Sequence, residues 1–290
     1  MKSYINALTS LLVALAATSA FASPWWSLQE SLVFPSGDGR QIRADVLTVD
    51  LKAANVRIVS VPFEGGAGVS SSEMSLRAFA AALAASHPRY RSKEWIALNG
   101  AFSSFRADVP LGLLVVDGKV YSTLSREKAK PGWASVGIEF GQLRWSGILC
   151  QLKSTKAWDI VAAAIYQPGL CQQALQGGPV TVASDSIVAV ALNEPRMEKA
   201  YKRTMVCLTH ENTMRLIVVT QEAHLLPLAQ WSSRAVSAGG LGCRVALNLS
   251  GDTSSGMVIR SPANAAPRYL GEGSFPIPSA LVVEARLPSP

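Results

Sequence analysis

Three short segments of the chain combine glycine with amide or hydroxyl side chains, a fourth carries a guanidinium and a hydroxyl, and each stands beside a predicted strand end. They are Asn99-Gly100-Ala101-Phe102-Ser103, Gln176-Gly177-Gly178-Pro179, Lys202-Arg203-Thr204 and Asn248-Leu249-Ser250-Gly251-Asp252-Thr253-Ser254-Ser255. Glycine lets the backbone approach a ligand closely, and polar side chains at strand ends can converge on that ligand. This combination is typical of a pocket for a sugar or a phosphate group.

Two charged side chains in these segments could do chemistry. Arg203 is the candidate for binding phosphate, because its planar fork of donors matches two oxygens and stays charged at physiological pH. The alternative is an ordinary surface ion pair. Asp252 lies inside the glycine-rich segment after a predicted buried strand, which makes its carboxylate the first candidate for a reactive acidic group. The alternative is a turn aspartate that binds loop amides.

Other common catalytic patterns are missing from the sequence. It contains no P-loop, no His-Glu-x-x-His and no Gly-x-Ser-x-Gly. Ser125 and Lys128 match Ser-x-x-Lys, but the companion motifs of serine acyl-transfer enzymes are absent. With three histidines and no Cys-x-x-Cys, a zinc site is not expected, and we predict neither a metal nor another cofactor.

The order and spacing of the four segments resemble the phosphodiester glycosidase family, of the N-acetylglucosamine-1-phosphodiester α-N-acetylglucosaminidase type. Residues 99–103 resemble its Asn-Gly-Gly-Phe-Phe, followed by Pro110-Leu111-Gly112 and the Val116-Asp117-Gly118 hairpin. Residues 178–179 and 203–204 resemble its Gly-Pro and Arg-Thr, and residues 246–255 its Ala-Leu-Asn-Leu-Asp-Gly-Gly-Gly-Ser-Ser. The resemblance spans most of the chain after residue 22.

The resemblance implies hydrolysis of the C1–O bond of a sugar 1-phosphodiester, with release of free sugar and a phosphomonoester. The phosphomonoester is already a stable anion, so charge stabilisation should matter more than a strong general acid. Arg203 would then hold the phosphate and Asp252 would act as acid and base. The substrate-binding set would be Asn99, Gly100, Gly178, Thr204, Asn248, Ser254 and Ser255.

Some of these candidates have plainer interpretations. Asn99-Gly100 could form only a tight turn, and Ser254 and Ser255 could only cap their loop. Three tryptophans could stack on sugar rings, although packing in a core or an interface is favoured. They are Trp25, Trp26 and Trp133.

The chain departs from the family pattern at two acidic positions. The family's aspartate is Ser250 here, while its next-but-one residue, a glycine, is Asp252. On an extended segment a shift of two residues would keep the carboxylate on the same face. The family's Asp-Gly-Arg turn after the strand at 216–219 is replaced by Thr220-Gln221-Glu222. Two alternatives therefore remain: a non-catalytic envelope protein that binds phosphorylated glycans in exopolysaccharide assembly, or an interaction protein whose glycine-rich segments only shape loops.

The elements that position these segments predict a single α+β domain with mixed, mainly antiparallel sheets and a few packed helices. Residues 31–63 predict a strand meander with turns at Asp38-Gly39 and Ala54-Asn55. A capping box at 70–73 precedes a helix that carries Leu76, Phe79, Ala80 and Leu83 and stops at His87-Pro88.

Further along, Asp117-Gly118 is the strongest hairpin signal, because it accepts the positive φ angles of a tight turn. We also predict a buried strand at 95–98, a second hairpin at 135–145, paired strands at 204–209 and 214–220, a helical stretch at 225–238 and a strand at 244–249.

The N-terminus predicts export. Lys2, an apolar run and Ala20-Phe21-Ala22 are typical of a secretory signal peptide over residues 1–22, which leaves residues 23–290 as the phosphodiester glycosidase-like domain. An uncleaved anchor is the alternative. We expect a periplasmic or secreted protein with no stable membrane insertion after the signal is removed.

Four cysteines in an oxidising compartment are expected to pair. Of the three possible pairings, Cys150–Cys171 with Cys207–Cys243 is preferred. The net charge of +7 comes from dispersed basic residues. Such an excess favours an anionic partner such as a phosphorylated glycan or an envelope lipid, although it more often serves only solubility. We expect a sugar-phosphate or phosphorylated glycan as the substrate, and no nucleic acid.

Overall fold

The computed structural model describes residues 21–61, 74–86, 90–91, 93–100, 102, 110–124, 146–188, 200–261 and 266–286. The predicted hairpin at 135–145, the capping box at 70–73, Trp133 and the Ser125 and Lys128 pair lie outside these residues.

Three sheets, all with antiparallel pairing, make up the fold. The largest has eight strands in the order β1 (Phe21–Ser23), β2 (Trp26–Pro35), β3 (Gln41–Asp50), β14 (Thr213–Ala223), β13 (Tyr201–Leu208), β15 (Val245–Asn248), β11 (Val180–Ala183) and β12 (Ser186–Ile187). The second has five, in the order β7 (Lys119–Ser122), β6 (Leu114–Val116), β10 (Cys171–Gly177), β8 (Gly147–Leu152) and β9 (Trp158–Ala162). The third also has five, in the order β17 (Arg268–Gly271), β16 (Gly256–Arg260), β5 (Trp95–Asn99), β18 (Ser279–Ala285) and β4 (Ala54–Ser60).

One apolar core lies between the three sheets. Leu47 of the eight-stranded sheet, Leu175 of the second and Leu281 of the third are each fully buried in it. Because successive strand side chains point to opposite faces, every second residue of these strands enters the core. Trp25 and Trp26 are buried there as well, so they act in packing.

Two α-helices are present in the described ranges, and each covers the outer face of a sheet. Helix α1 (Leu76–Ser86) packs Leu76, Phe79, Ala80 and Leu83 against the third sheet, as predicted. Helix α2 (Leu225–Ser233) covers the eight-stranded sheet and ends earlier than predicted, and a separate 3-10 turn follows at Val236–Ala238. No helix of the described part has the length and apolar composition needed to cross a bilayer.

The α+β prediction is therefore correct in its single domain and its antiparallel sheets, but the fold contains more strand than it implied. Eighteen strands stand against two α-helices in the described ranges. Both predicted helices are present, but each covers the outer face of a sheet, and the main core lies between the sheets.

The structure confirms one predicted turn and contradicts another. Asp117 (φ 50°) and Gly118 (φ 83°) connect β6 to β7, which confirms the predicted hairpin. The turn predicted at Ala54-Asn55 is wrong, because Ala54 begins β4 and pairs with Ala285. Strand β14 runs on through Thr220, Gln221 and Glu222 to Ala223, so no turn replaces the family's Asp-Gly-Arg.

Both predicted disulfides are confirmed. Cys150–Cys171 joins the paired strands β8 and β10, and its Cα atoms lie 5.5 Å apart. Cys207–Cys243 joins β13 to the segment between α2 and β15, again with 5.5 Å between Cα atoms. Each bridge has the Cα separation that an unstrained disulfide prefers.

Candidate functional site

Asn99, the last residue of β5, is the junction of the site. Its side chain is fully buried, and Nδ2 donates to the Ser250 carbonyl over 3.0 Å. Oδ1 accepts two hydrogen bonds, from the Thr204 hydroxyl at 2.8 Å and from the Gly256 amide at 3.0 Å. A buried amide with these partners fixes three strands and a loop at one place, so Asn99 does not form a mere tight turn.

Gly100 continues this junction through its backbone. Its amide donates to the Ser279 carbonyl over 2.9 Å, and its carbonyl accepts from the Ser250 amide over 3.3 Å. A Cβ atom at Gly100 would lie 2.5 Å from the Ser279 hydroxyl oxygen. Only glycine therefore permits this close approach to β18.

Asn248 and Gly178 form a second hydrogen-bonded group at the end of β15. Asn248 Nδ2 donates to the carbonyls of Gly178 at 2.8 Å and Leu249 at 3.0 Å. The Gly178 amide donates to the Asn248 carbonyl over 2.8 Å, and the Asn248 amide donates to the Pro179 carbonyl over 3.1 Å. The Gly-Pro segment is thereby fixed against the strand that leads into the glycine-rich loop.

Arg203 lies on the opposite face of β13 from Thr204. It is paired directly with Val219, whose side chain belongs to the outer apolar cluster, whereas Thr204 points to Asn99. Arg203 is only 1% exposed, and its guanidinium carbon lies 4.9 Å from the centroid of the Tyr201 ring. This burial excludes the interpretation of Arg203 as a surface ion pair.

The glycine-rich loop passes beside the Arg203 stem. A Cβ atom at Gly251 would lie 4.0 Å from Arg203 Cδ and 2.8 Å from the Lys202 carbonyl oxygen. The hydroxyls of Ser250 and Ser254 lie 2.8 Å apart, and the Ser254 hydroxyl also donates to the Gly251 carbonyl over 2.5 Å. Ser254 therefore holds the loop, in the manner of its capping interpretation.

Asp252 is placed differently from the expectation. The chain turns through a positive φ of 58° at Asp252, which begins a 3-10 turn at Asp252–Ser254. The segment is thus not extended, and the expectation that Asp252 shares a face with Ser250 is wrong. Ser250 is buried, whereas the Asp252 side chain is exposed to solvent.

A neighbouring loop that the sequence analysis missed is bound to the glycine-rich loop. The amides of Glu272 and Gly273 both donate to the Ser255 carbonyl, over 2.9 Å and 3.0 Å. Nothing in residues 272–275 resembles a motif. This loop reaches the site only because β17 pairs with β16, which follows the glycine-rich loop directly.

The second loop brings a charged pair to the site. Lys202 Nζ lies 2.5 Å from Glu272 Oε2. This hydrogen bond raises the pKa of the Lys202 ammonium, and the charges of Asp252 and Glu222 add to the effect. The same hydrogen bond lowers the pKa of Glu272. Lys202 therefore places a permanent positive charge near the exposed Asp252 carboxylate.

The four segments that form the candidate site lie within a range of the chain that matches a known protein family. The sequence profile of the phosphodiester glycosidase family matches residues 92–284, which is more than half of the chain. The chain belongs to the phosphodiester glycosidase family. The matched range begins just before β5 and ends in β18, so it contains all four segments of the site.

Solved structures agree with this membership at the level of the fold. The catalytic domain of zebrafish N-acetylglucosamine-1-phosphodiester α-N-acetylglucosaminidase, auto-inhibited by pro-peptide, superposes with a TM-score of 0.61 at 15% identity. The match covers 91% of this chain and 85% of the zebrafish chain. A hypothetical protein from Synechocystis gives a TM-score of 0.51 at 13% identity, covering 90% of this chain and 62% of that one. A search of curated proteins gives no match.

Within this phosphodiester glycosidase fold, the predicted site residues fall into two groups. Asn99, Gly100 and Thr204 meet between two sheets, whereas Arg203 lies on the outer face of β13. Asn248 is paired with Met205, a member of the outer cluster, and so shares the face of Arg203. The glycine-rich loop passes from one group to the other. Among the described residues, no cluster of three His, Cys, Asp or Glu side chains could hold a metal ion.

Proposed function

We propose that the chain hydrolyses the C1–O bond of a sugar 1-phosphodiester in the periplasm or outside the cell. The observation that carries the proposal is the junction at Asn99, where three of the four family segments are hydrogen-bonded together, with Arg203 enclosed beside the glycine-rich loop. Family membership supports the reaction class. The two disulfides fit an oxidising compartment.

Arg203 is the proposed phosphate ligand. Since it is 1% exposed, a phosphate reaches the guanidinium only through a local opening of the fold. Gly251 lies on the side of the Arg203 stem and adds no side chain that would obstruct this approach. Once bound, the anion would sit in a site that excludes water, where a bidentate contact with arginine is strong.

Hydroxyl groups of the glycine-rich loop are proposed to complete the phosphate site. Ser255 is 1% exposed, and its hydroxyl has no hydrogen-bond partner among the described residues. A buried hydroxyl without a partner is costly, so a ligand oxygen that accepts from it would recover that cost. Ser254 would contribute indirectly, because its hydroxyl already holds the loop through Gly251.

The sugar is proposed to bind at the Asn99 end of the sheets. Asn99, Thr204 and Asn248 would orient it through the backbone that they fix, since their side chains are fully buried. Gly100 and Gly178 would let the backbone of that region come close to the ring.

Asp252 is the proposed acid and base. It would take a proton from the water that attacks C1, while the bond from C1 to the phosphate oxygen breaks. The phosphomonoester leaves with the bond's electron pair and needs little protonation, and Lys202 beside Asp252 would stabilise the developing negative charge.

The test is hydrolysis of a panel of sugar 1-phosphodiesters by the purified protein, with release of free sugar as the readout. We expect turnover by the wild type, loss of turnover with retained binding for Asp252→Asn, and loss of both for Arg203→Ala. Arg203→Lys keeps the charge without the fork, and should bind weakly if the variant folds. Arg234→Ala and Asp185→Asn are controls at exposed positions and should behave as wild type.

A second candidate function is supported by the displaced carboxylate. Ser250 occupies the family's aspartate position, and Asp252 is exposed on a turn. A protein that binds phosphorylated glycans without cleaving them, for example in exopolysaccharide assembly, would keep Arg203 and lose the buried carboxylate. In the same panel this function predicts a rise in Tm with ligand, abolished in Arg203→Ala, and no free sugar from any substrate.

A further inference from the structure

Two adjoining cavities lie far from the candidate active site. The larger has a volume of about 290 Å³ and the smaller about 220 Å³. Leu51, Trp158 and Asn212 line both of them, so the two cavities are adjacent. We call the pair the distal cleft.

Strand β18 gives the distance between the two sites. At its first residue, the Ser279 carbonyl accepts from the Gly100 amide at the candidate active site. The strand ends at Ala285, and the next residue, Arg286, lines the distal cleft. At a rise of about 3.3 Å per residue, the two sites lie roughly 20 Å apart at opposite ends of the same sheet.

The excess positive charge of the distal cleft lies in its larger cavity, which is lined by Lys52, Lys156 and Arg286. In the smaller cavity, Arg244 is paired with Asp159 over 3.0 Å and the His210 ring lies 2.7 Å from Asp185. None of the described residues that line either cavity is an aspartate or a glutamate. A concave surface lined by cations concentrates the field and attracts anions.

One of these cations is held rigidly. Arg286 Nη2 donates to the Leu51 carbonyl at 3.0 Å and to the Ala54 carbonyl at 3.3 Å. In contrast, Lys52 and Lys156 are exposed on turns that flank the cleft. The cleft thus combines a preorganised guanidinium with two adaptable ammonium groups.

The remaining lining is suited to sugar hydroxyls. It comprises the amides of Asn55, Gln151 and Asn212 and the hydroxyls of Thr155, Thr209 and Thr213. Trp158 supplies an indole at the boundary of the two cavities. Amides, hydroxyls and an aromatic ring beside cations are the groups that recognise a sugar carrying carboxylate or phosphate.

We propose that the distal cleft is a second, non-catalytic binding site for an anionic oligosaccharide. A membrane surface fits it less well, because none of the exposed large apolar side chains of the described residues lines either cavity. The cleft would hold a charged stretch of glycan at a fixed distance from the candidate active site. Binding there does not depend on whether the chain hydrolyses a phosphodiester.

Calorimetric titration with oligogalacturonate tests the proposal. The wild type should bind it, and the affinity should fall as salt is raised. Lys52→Ala with Lys156→Ala should weaken binding by at least about tenfold. Arg43→Ala with Lys119→Ala removes the same charge from exposed positions outside the cleft and should leave the affinity unchanged. Arg203→Ala, if folded, should also bind normally, which separates this site from the proposed active site.

Four outcomes would overturn the proposal. Equal loss in both double variants would mean attraction by net charge alone. Equal binding of a neutral maltooligosaccharide of the same length would remove the role of the cations, and equal binding of inorganic phosphate would mean that the sugar adds nothing. Binding to vesicles of anionic lipid but not to oligogalacturonate would identify a membrane contact instead. Circular dichroism of each variant must match the wild type for these comparisons.

Discussion

The Thr204 hydroxyl donates a 2.8 Å hydrogen bond to Oδ1 of Asn99, although 105 positions separate the two residues. Thr204 belongs to the eight-stranded sheet and Asn99 to the third sheet. The candidate site therefore lies where two sheets meet, and its geometry depends on how these sheets are joined.

Replacement of Asn99 by alanine should cost stability as well as activity. The change leaves the Gly256 amide and the Ser250 carbonyl buried without the partner they have now, at about 1–3 kcal/mol each. Urea denaturation should show a loss of at least about 2 kcal/mol. Gln221→Ala, at an exposed position where the side-chain amide oxygen accepts from the Arg43 backbone amide, should lose no more than about 1 kcal/mol. Equal losses would show that the Asn99 junction has no special role.

A double variant that restores the family's residues at positions 250 and 252 tests which position carries the catalytic carboxylate. In Ser250→Asp with Asp252→Gly, the new carboxylate would lie at the buried position next to the Ser254 hydroxyl. The glycine would adopt the positive φ of position 252 without strain. Because Asp252 is the proposed acid and base, its removal should slow the release of free sugar relative to the wild type. Release as fast as that of the wild type, or faster, would instead assign the catalytic carboxylate to position 250.

Gly251→Ala should disturb the site through the backbone. The added Cβ would meet the Lys202 carbonyl oxygen at 2.8 Å, and backbone atoms cannot easily move away. Overpacking of this kind costs about 1–3 kcal/mol. Gly37→Ala is the control, since its Cβ would make an ordinary 3.6 Å contact with Pro227. A thermal melt in which both variants match the wild type would contradict the close approach.

Two aspartates should affect stability with opposite pH dependence. Burial raises the pKa of Asp45, so its ionised form costs stability above the raised value, and that cost disappears as pH falls through it. Asp45→Asn should therefore be more stable than the wild type at pH 7, with no advantage at acidic pH. Its Oδ1 can still accept from the Ser31 amide.

Asp38 should show the opposite pH dependence of stability, because its pKa is lowered. Hydrogen bonds from the Ser36 hydroxyl and the Arg40 amide lower its pKa to about 2. The stabilisation is present above the ordinary pKa of 3.8 and is lost as pH falls towards 2. Asp38→Asn should be less stable than the wild type at pH 7, and the difference should shrink on acidification. Denaturation curves with the same pH slope for both variants would contradict these assignments.

Removal of either disulfide should destabilise the fold by a comparable amount. The loops close over 21 and 36 residues, for which chain entropy predicts about 3 and about 4 kcal/mol. Paired Cys→Ala variants measured by urea denaturation should show losses in that order. A variant with an unchanged midpoint would mean that its disulfide does not restrict the unfolded chain.

Much of the fold could be predicted where the deciding interactions are local. Asp117-Gly118 determines its own turn, and the apolar spacing of Leu76, Phe79 and Leu83 determines a helix face. No turn forms at Ala54-Asn55, because these residues pair in a strand with residues about 230 positions away. That pairing outweighs their local turn propensity. The number of sheets could not be predicted either, since it depends on pairing between strands that are distant in the sequence.

The candidate site was predictable in its segments but not in its geometry. Asn99, Thr204 and Asn248 were found by type and position, yet their complete burial follows from the meeting of sheets. Asp252 was expected on an extended segment, but its φ is 58° and it begins a 3-10 turn, which no residue pattern in the segment had indicated. Glu272 had no signal at all, because only the pairing of β16 with β17 brings it to Lys202.

Strand β18 has a consequence for how the chain acquires this fold. Residues 279–285 lie between β4 and β5, which are formed by residues 54–60 and 95–99. The early strands cannot complete their sheet until a segment nearly two hundred residues later has arrived, and such distant pairing slows folding. A chain synthesised from its N-terminus therefore keeps β4 and β5 without their shared partner strand until residues 279–285 have been made.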